Sequence, residues 1–144
     1  MRYELAVDIA RPPAEVYAYL ADPGNLPDWQ ADVEEVRDAP VGPLSAGASF
    51  TEVRSFLGKR VESTLEAAVA EPGRELTLET VSGPVRVSIR HLLEPSGAGT
   101  SLRVVAEADP GKLLGLGGPL VRRAAERRAR GDFERLKAVL EAGV

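Results

Sequence analysis

The sequence predicts an α+β domain in which a curved antiparallel sheet of seven strands wraps around one long C-terminal helix. Seven short segments are predicted to be strands, and most of them alternate apolar and polar residues, which is the period of a strand with one buried face. The turns between the later strands are short and rich in Gly and Pro, so these strands must pair antiparallel, because parallel pairing needs long crossovers. Only residues 111–144 have the length and the helical period to cover the apolar face of such a sheet.

A strand and two short helices are predicted at the start of the chain. Residues 3–9 alternate cleanly and indicate a half-buried strand. Pro12 and Pro13 end this strand, because neither can donate to a ladder, and both suit the start of a helix. We expect that helix over residues 14–21, followed by a second short helical turn that ends near Trp29.

Six further strands are predicted before the last helix. They are expected at residues 31–37, 49–56, 60–70, 75–81, 85–93 and 100–108. The fourth strand of the sheet has the clearest alternation, with one face made of Val61, Ser63, Leu65, Ala67 and Val69. The inward faces of the next three strands are expected to carry Leu76, Leu78, Val85, Val87, Ile89, His91, Leu93, Leu102, Val104, Ala106 and Ala108.

The composition favours one soluble globular domain over residues 1–144, long enough to bury a core. No apolar run approaches the roughly 18 residues of a membrane span, and the N-terminus carries no apolar signal-peptide core. We therefore expect a cytoplasmic protein without stable membrane insertion, as a monomer or a weak homodimer. The absence of cysteine excludes a disulfide framework and thiolate chemistry.

The charge is distributed unevenly along the chain. Residues 1–111 hold 10 Lys/Arg and 18 Asp/Glu, whereas residues 112–144 hold 8 and 4. A basic helix that packs beside an acidic sheet explains this better than a nucleic-acid surface. The helix also lacks the aromatic side chains on which bases would stack, so we expect no nucleic acid as a partner.

The apolar face of the last helix changes in size along its length. At the helical period this face carries Leu114, Gly118, Val121, Ala125, Ala129, Phe133, Leu136, Val139 and Leu140. Its middle is made of small residues and its end of large ones. Such a face either lets the sheet approach closely or leaves room for a ligand, and we expect a ligand-sized gap.

The chain resembles the START-like, helix-grip (SRPBCC) superfamily, specifically its bacterial polyketide cyclase/dehydrase and lipid-transport branch. The resemblance covers essentially the whole chain and rests on VDIARPPAEVY at residues 7–17, LADP at 20–23, LPDW at 26–29, LEP at 93–95 followed by Gly99-Thr100, and Leu136-Lys137. It implies a sheet that grips the C-terminal helix around an apolar cavity. Members bind lipids, sterols, polyketides, quinones or plant hormones, and a minority are enzymes, so the fold does not settle the function.

His91 is the only histidine, and the alternation places it on the inward face between Ile89 and Leu93. It could hydrogen-bond a ligand carbonyl or transfer a proton, since its ordinary pKa is about 6.5. It could equally be a core imidazole that bonds to a neighbouring backbone group. With one histidine and no cysteine, neither a zinc site nor a cofactor is expected.

Two other candidates have structural and functional interpretations. Ser63 suits a polar contact to a ligand better than a nucleophile, because no Gly-x-Ser-x-Gly elbow is present. Trp29, the only tryptophan, would lie near the opening of the cavity or would anchor the short helices on the sheet. Tyr17 and Tyr19 carry the same ambiguity.

The charged residues of the strands form no evident acid/base pair. Glu62, Glu66, Glu79 and Glu107 are expected on outward faces, as are most strand charges. Residues 49–56 could present either face inward, and a buried Glu52 with Arg54 would then be a candidate site. Arg122 either anchors an anionic head group or forms a surface salt bridge.

The glycine-rich stretch at residues 115–118 does not suit a phosphate cradle, because it follows no parallel strand and no Walker-type lysine is present. A lip beside the cavity, or a close approach of helix and sheet, explains it better. The leucines around it could form a lid or touch a membrane transiently.

We therefore expect a non-enzymatic protein that binds a hydrophobic small molecule. The ligand-binding residues are predicted to be Trp29, Ser63, Leu65, Leu78, Val87, Ile89, His91, Leu102, Val104, Val121 and Ala125. The alternative is a cyclase or dehydratase that uses His91 for proton transfer on an aromatic or polyketide substrate. A third hypothesis is an interaction protein that uses the basic face of the helix.

Overall fold

The structure is a computed structural model that describes residues 1–56, 58–109 and 118–143. It contains a seven-stranded antiparallel sheet in the order β1-β7-β6-β5-β4-β3-β2, so the first two strands form the two edges. The strands are β1 (Arg2–Ile9), β2 (Val33–Arg37), β3 (Ser49–Phe56), β4 (Lys59–Glu71), β5 (Glu75–Ser82), β6 (Arg86–Ser96) and β7 (Gly99–Asp109). The fold class predicted from the sequence is confirmed.

Two short helices connect the edge strands across the concave side of the sheet. Helix α1 is Pro13–Leu20, a 3₁₀ turn spans Pro23–Asn25, and helix α2 is Leu26–Trp29. The carboxylate of Asp22 accepts a hydrogen bond from the backbone N–H of Gly24 at 3.0 Å, which caps the 3₁₀ turn. The chain therefore turns twice within ten residues and brings Trp29 beneath the last helix.

The last helix, α3, spans Pro119–Glu141, so it begins later than the predicted residue 111. A proline at the first position suits a helix start, because the N–H it lacks would have no partner there. Leu114 and residues 115–117 of the predicted glycine-rich lip lie outside the part of the chain that the structure describes.

The buried stripe of α3 lies in its C-terminal half. It consists of Ala129, Asp132, Phe133, Leu136 and Leu140. Val121, Ala125 and Val139 are only half-buried and Gly118 is exposed, so the predicted apolar face is too long. The stripe also contains an acidic residue that the sequence analysis did not place there.

A β-bulge in β4 changes the predicted inward face. Ala67 pairs with Leu78 and Val69 pairs with Thr77, so one residue of β4 is left unpaired. Beyond this bulge Ala70 packs against the core and Val69 does not. The alternation predicted through Val69 is therefore wrong after Ala67, because a bulge shifts the side chains that follow it to the other face.

The basic side chains of α3 contact the first strand and the α2–β2 region. Arg128 pairs with Asp32 at 2.7 Å, and Arg135 donates to the carbonyl of Trp29 at 3.1 Å. Lys137 donates to the carbonyl of Asp8, and Arg130 reaches the carbonyl of Glu4 at 3.5 Å. Much of the basic charge of the helix thus holds it on the acidic sheet. None of the helices in the described part of the chain has both the length and the apolar character to cross a bilayer.

Two glycines offer a matched test of this packing. A Cβ on Gly99 would lie 2.5 Å from the carbonyl oxygen of Ile9, whereas a Cβ on Gly131, in the middle of α3, would meet nothing within 4 Å. We expect Gly99→Ala to lower the free energy of unfolding by about 1–3 kcal/mol, since the backbone of β1 cannot move away easily. We expect Gly131→Ala to raise it by about 0.5–1 kcal/mol through helix propensity. Urea unfolding measures both, and a stable Gly99→Ala variant would contradict the tight β1–β7 contact.

Candidate functional site

A cavity of about 180 Å³ lies between the sheet and the middle of α3. Its helix side is made of Ala125, Ala129, Asp132 and Phe133. Eight of the predicted ligand-binding residues line it, namely Trp29, Ser63, Leu65, Leu78, Val87, Ile89, His91 and Ala125. The cavity is therefore located where the helix face is made of small side chains.

Three predicted residues do not line this cavity. Leu102 and Val104 are 0% and 1% exposed and belong to the solid core that also contains Leu136. The alternation predicted along β7 is confirmed, but of its inward-facing residues only Ala106 and Ala108, farther along the strand, reach the cavity. The large side chains at the end of α3 fill the space over Leu102. Val121 lies in the first turn of α3, before the helix reaches the cavity.

His91 lies in the wall of the cavity and is 3% exposed. Its Nδ1 is 2.9 Å from the carbonyl oxygen of Leu76, its partner on β5, and its ring lies 5.8 Å from that of Phe133. Burial lowers the pKa of His91 to about 4, and the bond to Leu76 only partly opposes this. The ring is therefore neutral near pH 7.

The bond to Leu76 also fixes the tautomer of His91. A carbonyl oxygen can only accept, so Nδ1 carries the proton and donates. The remaining nitrogen, Nε2, is then a hydrogen-bond acceptor. The sequence-based idea that His91 donates to a ligand carbonyl is wrong for this tautomer, because Nε2 can only receive a hydrogen bond from a ligand O–H or N–H.

Trp29 anchors the short helices and also lines the cavity. It is 1% exposed, and its ring lies 5.0 Å from that of Phe133 on α3. No described residue accepts a hydrogen bond from its indole N–H. A buried indole N–H usually has a partner, so this side chain keeps one unused donor, on a nitrogen that is itself fully buried.

Glu52 and Arg54 of β3 point toward the cavity. The sequence alone left open which face of this strand is the inward one. Phe50, Glu52 and Arg54 line it, and their partners on β4 are Leu65, Ser63 and Val61, which line it as well. Glu52 is 7% exposed, which is rare for a carboxylate without a partner. Its partner here is Arg54.

The contact between Glu52 and Arg54 is bidentate. Nε and one terminal nitrogen of Arg54 each donate to one oxygen of Glu52 at 2.9 Å. The same terminal nitrogen also donates to Oε1 of Gln30 at 2.7 Å. Burial is the largest single effect on the pKa of Arg54 and lowers it, but Glu52, with smaller contributions from Asp132 and Asp32, outweighs burial and holds this pKa above its ordinary value. The other terminal nitrogen, Nη1, donates to no described residue.

Asp132 lies on the opposite, helical wall. It is 6% exposed, and its Oδ1 accepts from the backbone N–H of Ala31 and from Arg135, both at 3.3 Å. Burial raises the pKa of Asp132, which the bond from Ala31 and the charges of Arg54 and Arg135 only partly oppose. The carboxyl group is therefore easier to protonate than an ordinary aspartate.

Several residues of the cavity wall were not predicted from the sequence. These are Met1, Tyr3, Leu20, Leu26, Gln30, Phe50, Arg128 and Asp132. One signal was available for Asp132, because it is three residues from Ala129 and four from Leu136 and so falls on the buried stripe. Glu107, predicted to face outward, is exposed yet contributes to the rim of the cavity, where β7 ends beside Met1.

The other candidates lie apart from the cavity. Tyr17 is a core residue of α1 and Tyr19 is partly buried beside it. Arg122 is exposed in the first turn of α3. In the described part of the chain, no three His, Asp or Glu side chains are grouped so that they could hold a metal ion.

The buried neutral ring of His91 makes stability depend on pH. Its pKa is about 4 in the folded protein and about 6.5 in the unfolded chain, so the unfolded state binds the proton first as the pH falls. Between pH 7.5 and 4.5 we expect His91 to remove about 2.5 kcal/mol from the free energy of unfolding. Urea unfolding of the wild type and His91→Gln at both pH values measures this. If the wild type and His91→Gln lost the same free energy of unfolding between these pH values, His91 would not be held neutral in the folded protein.

Comparison with known proteins places this fold and cavity in a family. Residues 1–141 match the family model for polyketide cyclase / dehydrase and lipid transport. A comparison with curated proteins gives no match.

Solved structures share the fold at low sequence identity. A START superfamily protein from Mycobacterium smegmatis has a TM-score of 0.79 at 15% identity, over 99% of both chains. Ara h 8.0201 has a TM-score of 0.74 at 14% identity, again over 99% of both chains. Major latex-like protein 151 from Panax ginseng has a TM-score of 0.74 at 10% identity, over 96% of this chain and 95% of its own. The chain belongs to the polyketide cyclase / dehydrase and lipid transport family.

Proposed function

We propose that this protein binds a hydrophobic small molecule, such as a lipid, quinone or polyketide, in the cavity between the sheet and α3. The main support for the proposal is that both the helix and the sheet place small side chains at the cavity. Ala125 and Ala129 of the helix line the same space as Ala106 and Ala108 of β7. In a dense core these positions would be expected to carry larger residues, because protein interiors pack without voids.

The affinity would come mainly from burying apolar ligand surface. Leu65, Leu78, Val87, Ile89 and Phe133 supply an apolar wall for it. Each 100 Å² of apolar surface removed from water contributes about 2.5 kcal/mol before the costs of ordering the ligand. A few polar groups in such a wall orient the ligand, and His91 and Ser63 are the first candidates.

His91 suits a ligand that carries a hydroxyl group. Nδ1 is engaged by Leu76, so the contact available to a ligand is acceptance of an O–H by Nε2. The ligand would then be carried or sequestered rather than changed. We expect such a protein to act in the cytoplasm as a monomer or a weak homodimer.

Catalysis by His91, as in a cyclase or dehydratase, is the competing proposal. A general base works best with a pKa near the working pH, and burial holds His91 at about 4. The ring would therefore be a weak base and would be unprotonated, so it could not act as an acid near pH 7. These properties favour binding. Turnover of an aromatic polyketide that is abolished in His91→Gln, with binding retained, would favour catalysis instead.

Filling the cavity tests the proposed function. Ala125→Phe would occupy the space between α3 and the sheet, so we expect it to abolish binding of the neutral fluorescent probe N-phenyl-1-naphthylamine at little cost in stability. Ala138→Phe, on the exposed face of the same helix, is the matched control and should bind the probe like the wild type. Native mass spectrometry of each purified protein would show whether a co-purifying lipid or quinone is lost with the probe.

Two outcomes would contradict the proposal. A wild-type protein that neither binds the probe nor carries any extractable ligand would show that the cavity is not a binding site. A loss of about 1–3 kcal/mol of stability in Ala125→Phe would indicate that the space is already filled by packing.

A further inference from the structure

The cavity has one polar end, formed by Gln30, Glu52, Arg54, Arg128 and Asp132. Two of these residues come from β3, one follows α2 and two lie on α3. The opposite walls of the cavity are mostly apolar. Any ligand head group that enters this end would meet charged side chains rather than bulk water.

The described charged side chains of the polar end form ion pairs, two of them with Asp32 and Arg135, which lie outside the cavity lining. Glu52 pairs with Arg54 at 2.9 Å, Asp32 with Arg128 at 2.7 Å, and Asp132 with Arg135 at 3.3 Å. All three carboxylate groups are less than one-fifth exposed. Three carboxylates and three guanidinium groups leave no net charge.

This balance determines which head group fits. A ligand carboxylate would be a fourth anion and would find no unmatched cation among the described residues of this end, so the cost of removing it from water would not be offset. A hydroxyl or a carbonyl oxygen brings no charge. It can accept hydrogen bonds without disturbing the three pairs.

Two donors beside the cavity have no acceptor among the described residues, and only the one on Arg54 is not fully buried. Nη1 of Arg54 donates to no described residue, although Nε and the other terminal nitrogen are fully engaged by Glu52 and Gln30. The buried indole N–H of Trp29 has no acceptor among the described residues either. Both side chains line the cavity, and both groups can only donate. They therefore need acceptor oxygens.

We propose, within the binding function proposed above, that the polar end of the cavity selects an uncharged oxygen head group, a hydroxyl or a carbonyl, over a carboxylate. Arg54 is the selecting residue, because Glu52 neutralises its charge and leaves Nη1 as a donor. Removing the charge of Glu52 leaves Arg54 unmatched and converts the same site into one that favours an anion.

The experiment compares two ligands with the same apolar tail, 1-decanol and decanoate, as competitors of N-phenyl-1-naphthylamine at pH 7.5. The ratio of their displacement constants in the wild type reflects both the protein and the different cost of dehydrating the two head groups. The change in this ratio between variants isolates the contribution of the protein, because the cost of dehydrating each head group is the same in every variant. In Glu52→Gln we expect the ratio to shift at least tenfold in favour of decanoate.

Glu94→Gln is the matched control. It removes the same charge from an exposed residue of β6 that does not line the cavity. We expect its ratio to change less than twofold. An equal shift in both variants would mean that the overall charge of the protein, and not the polar end, determines the preference, and would overturn the inference.

The outcomes separate the selectivity from the proposed function. If the wild type does not bind the probe, the binding function itself fails. If the probe binds and the ratio does not move in a folded Glu52→Gln protein, only the selectivity is overturned. Circular dichroism establishes folding, and if Glu52→Gln does not fold, Asp132→Asn tests the same balance, because it also removes a carboxylate from the polar end of the cavity.

Discussion

The structure depends on one constraint, which is that a single helix must cover the apolar face of an open seven-stranded sheet. Helix α3 satisfies it only in its C-terminal half, where Phe133, Leu136 and Leu140 are buried. Closer to its start the helix still lies over the sheet, but Ala125 and Ala129 are too small to fill the distance between the layers. The cavity follows from this change in side-chain size along one helix.

The same helix brings charge into the protein. Asp132 and Arg128 lie on the faces of α3 that meet the cavity, and each finds its ion-pair partner close by. Buried ion pairs add little net stability, because desolvation offsets their attraction. Their effect here is geometric: Arg54 is held by Glu52 and Gln30 in one orientation, with two of its three nitrogens engaged.

The fold was predictable from periodicity, and the polar end of the site was not. The alternation and the Gly/Pro turns predict every strand, and the helix pattern predicts its cover. Periodicity assumes an unbroken register, so it failed at the bulge after Ala67 and could not choose the inward face of β3. Elsewhere periodicity identifies the inward face of a strand but not the point along that face where the packed core ends and the cavity begins. For this reason Leu102 and Val104, which lie in the packed core, were predicted to line the cavity. Pairing between distant residues, such as Asp132 with Ala31 or Arg128 with Asp32, leaves no mark in a single sequence.

The contacts of α3 with β1 have a consequence for self-association. An open sheet exposes unpaired backbone groups on its two outermost strands, and such strands can recruit a strand from another copy. Along β1, side chains of α3 occupy the carbonyls of Glu4 and Asp8, and Glu141 accepts from the N–H of Ala10 at 2.8 Å. At the other border β2 has only five residues, a register shift and three charged side chains. The helix that shapes the cavity therefore also protects one border of the sheet from intermolecular strand addition, and the short, charged β2 protects the other.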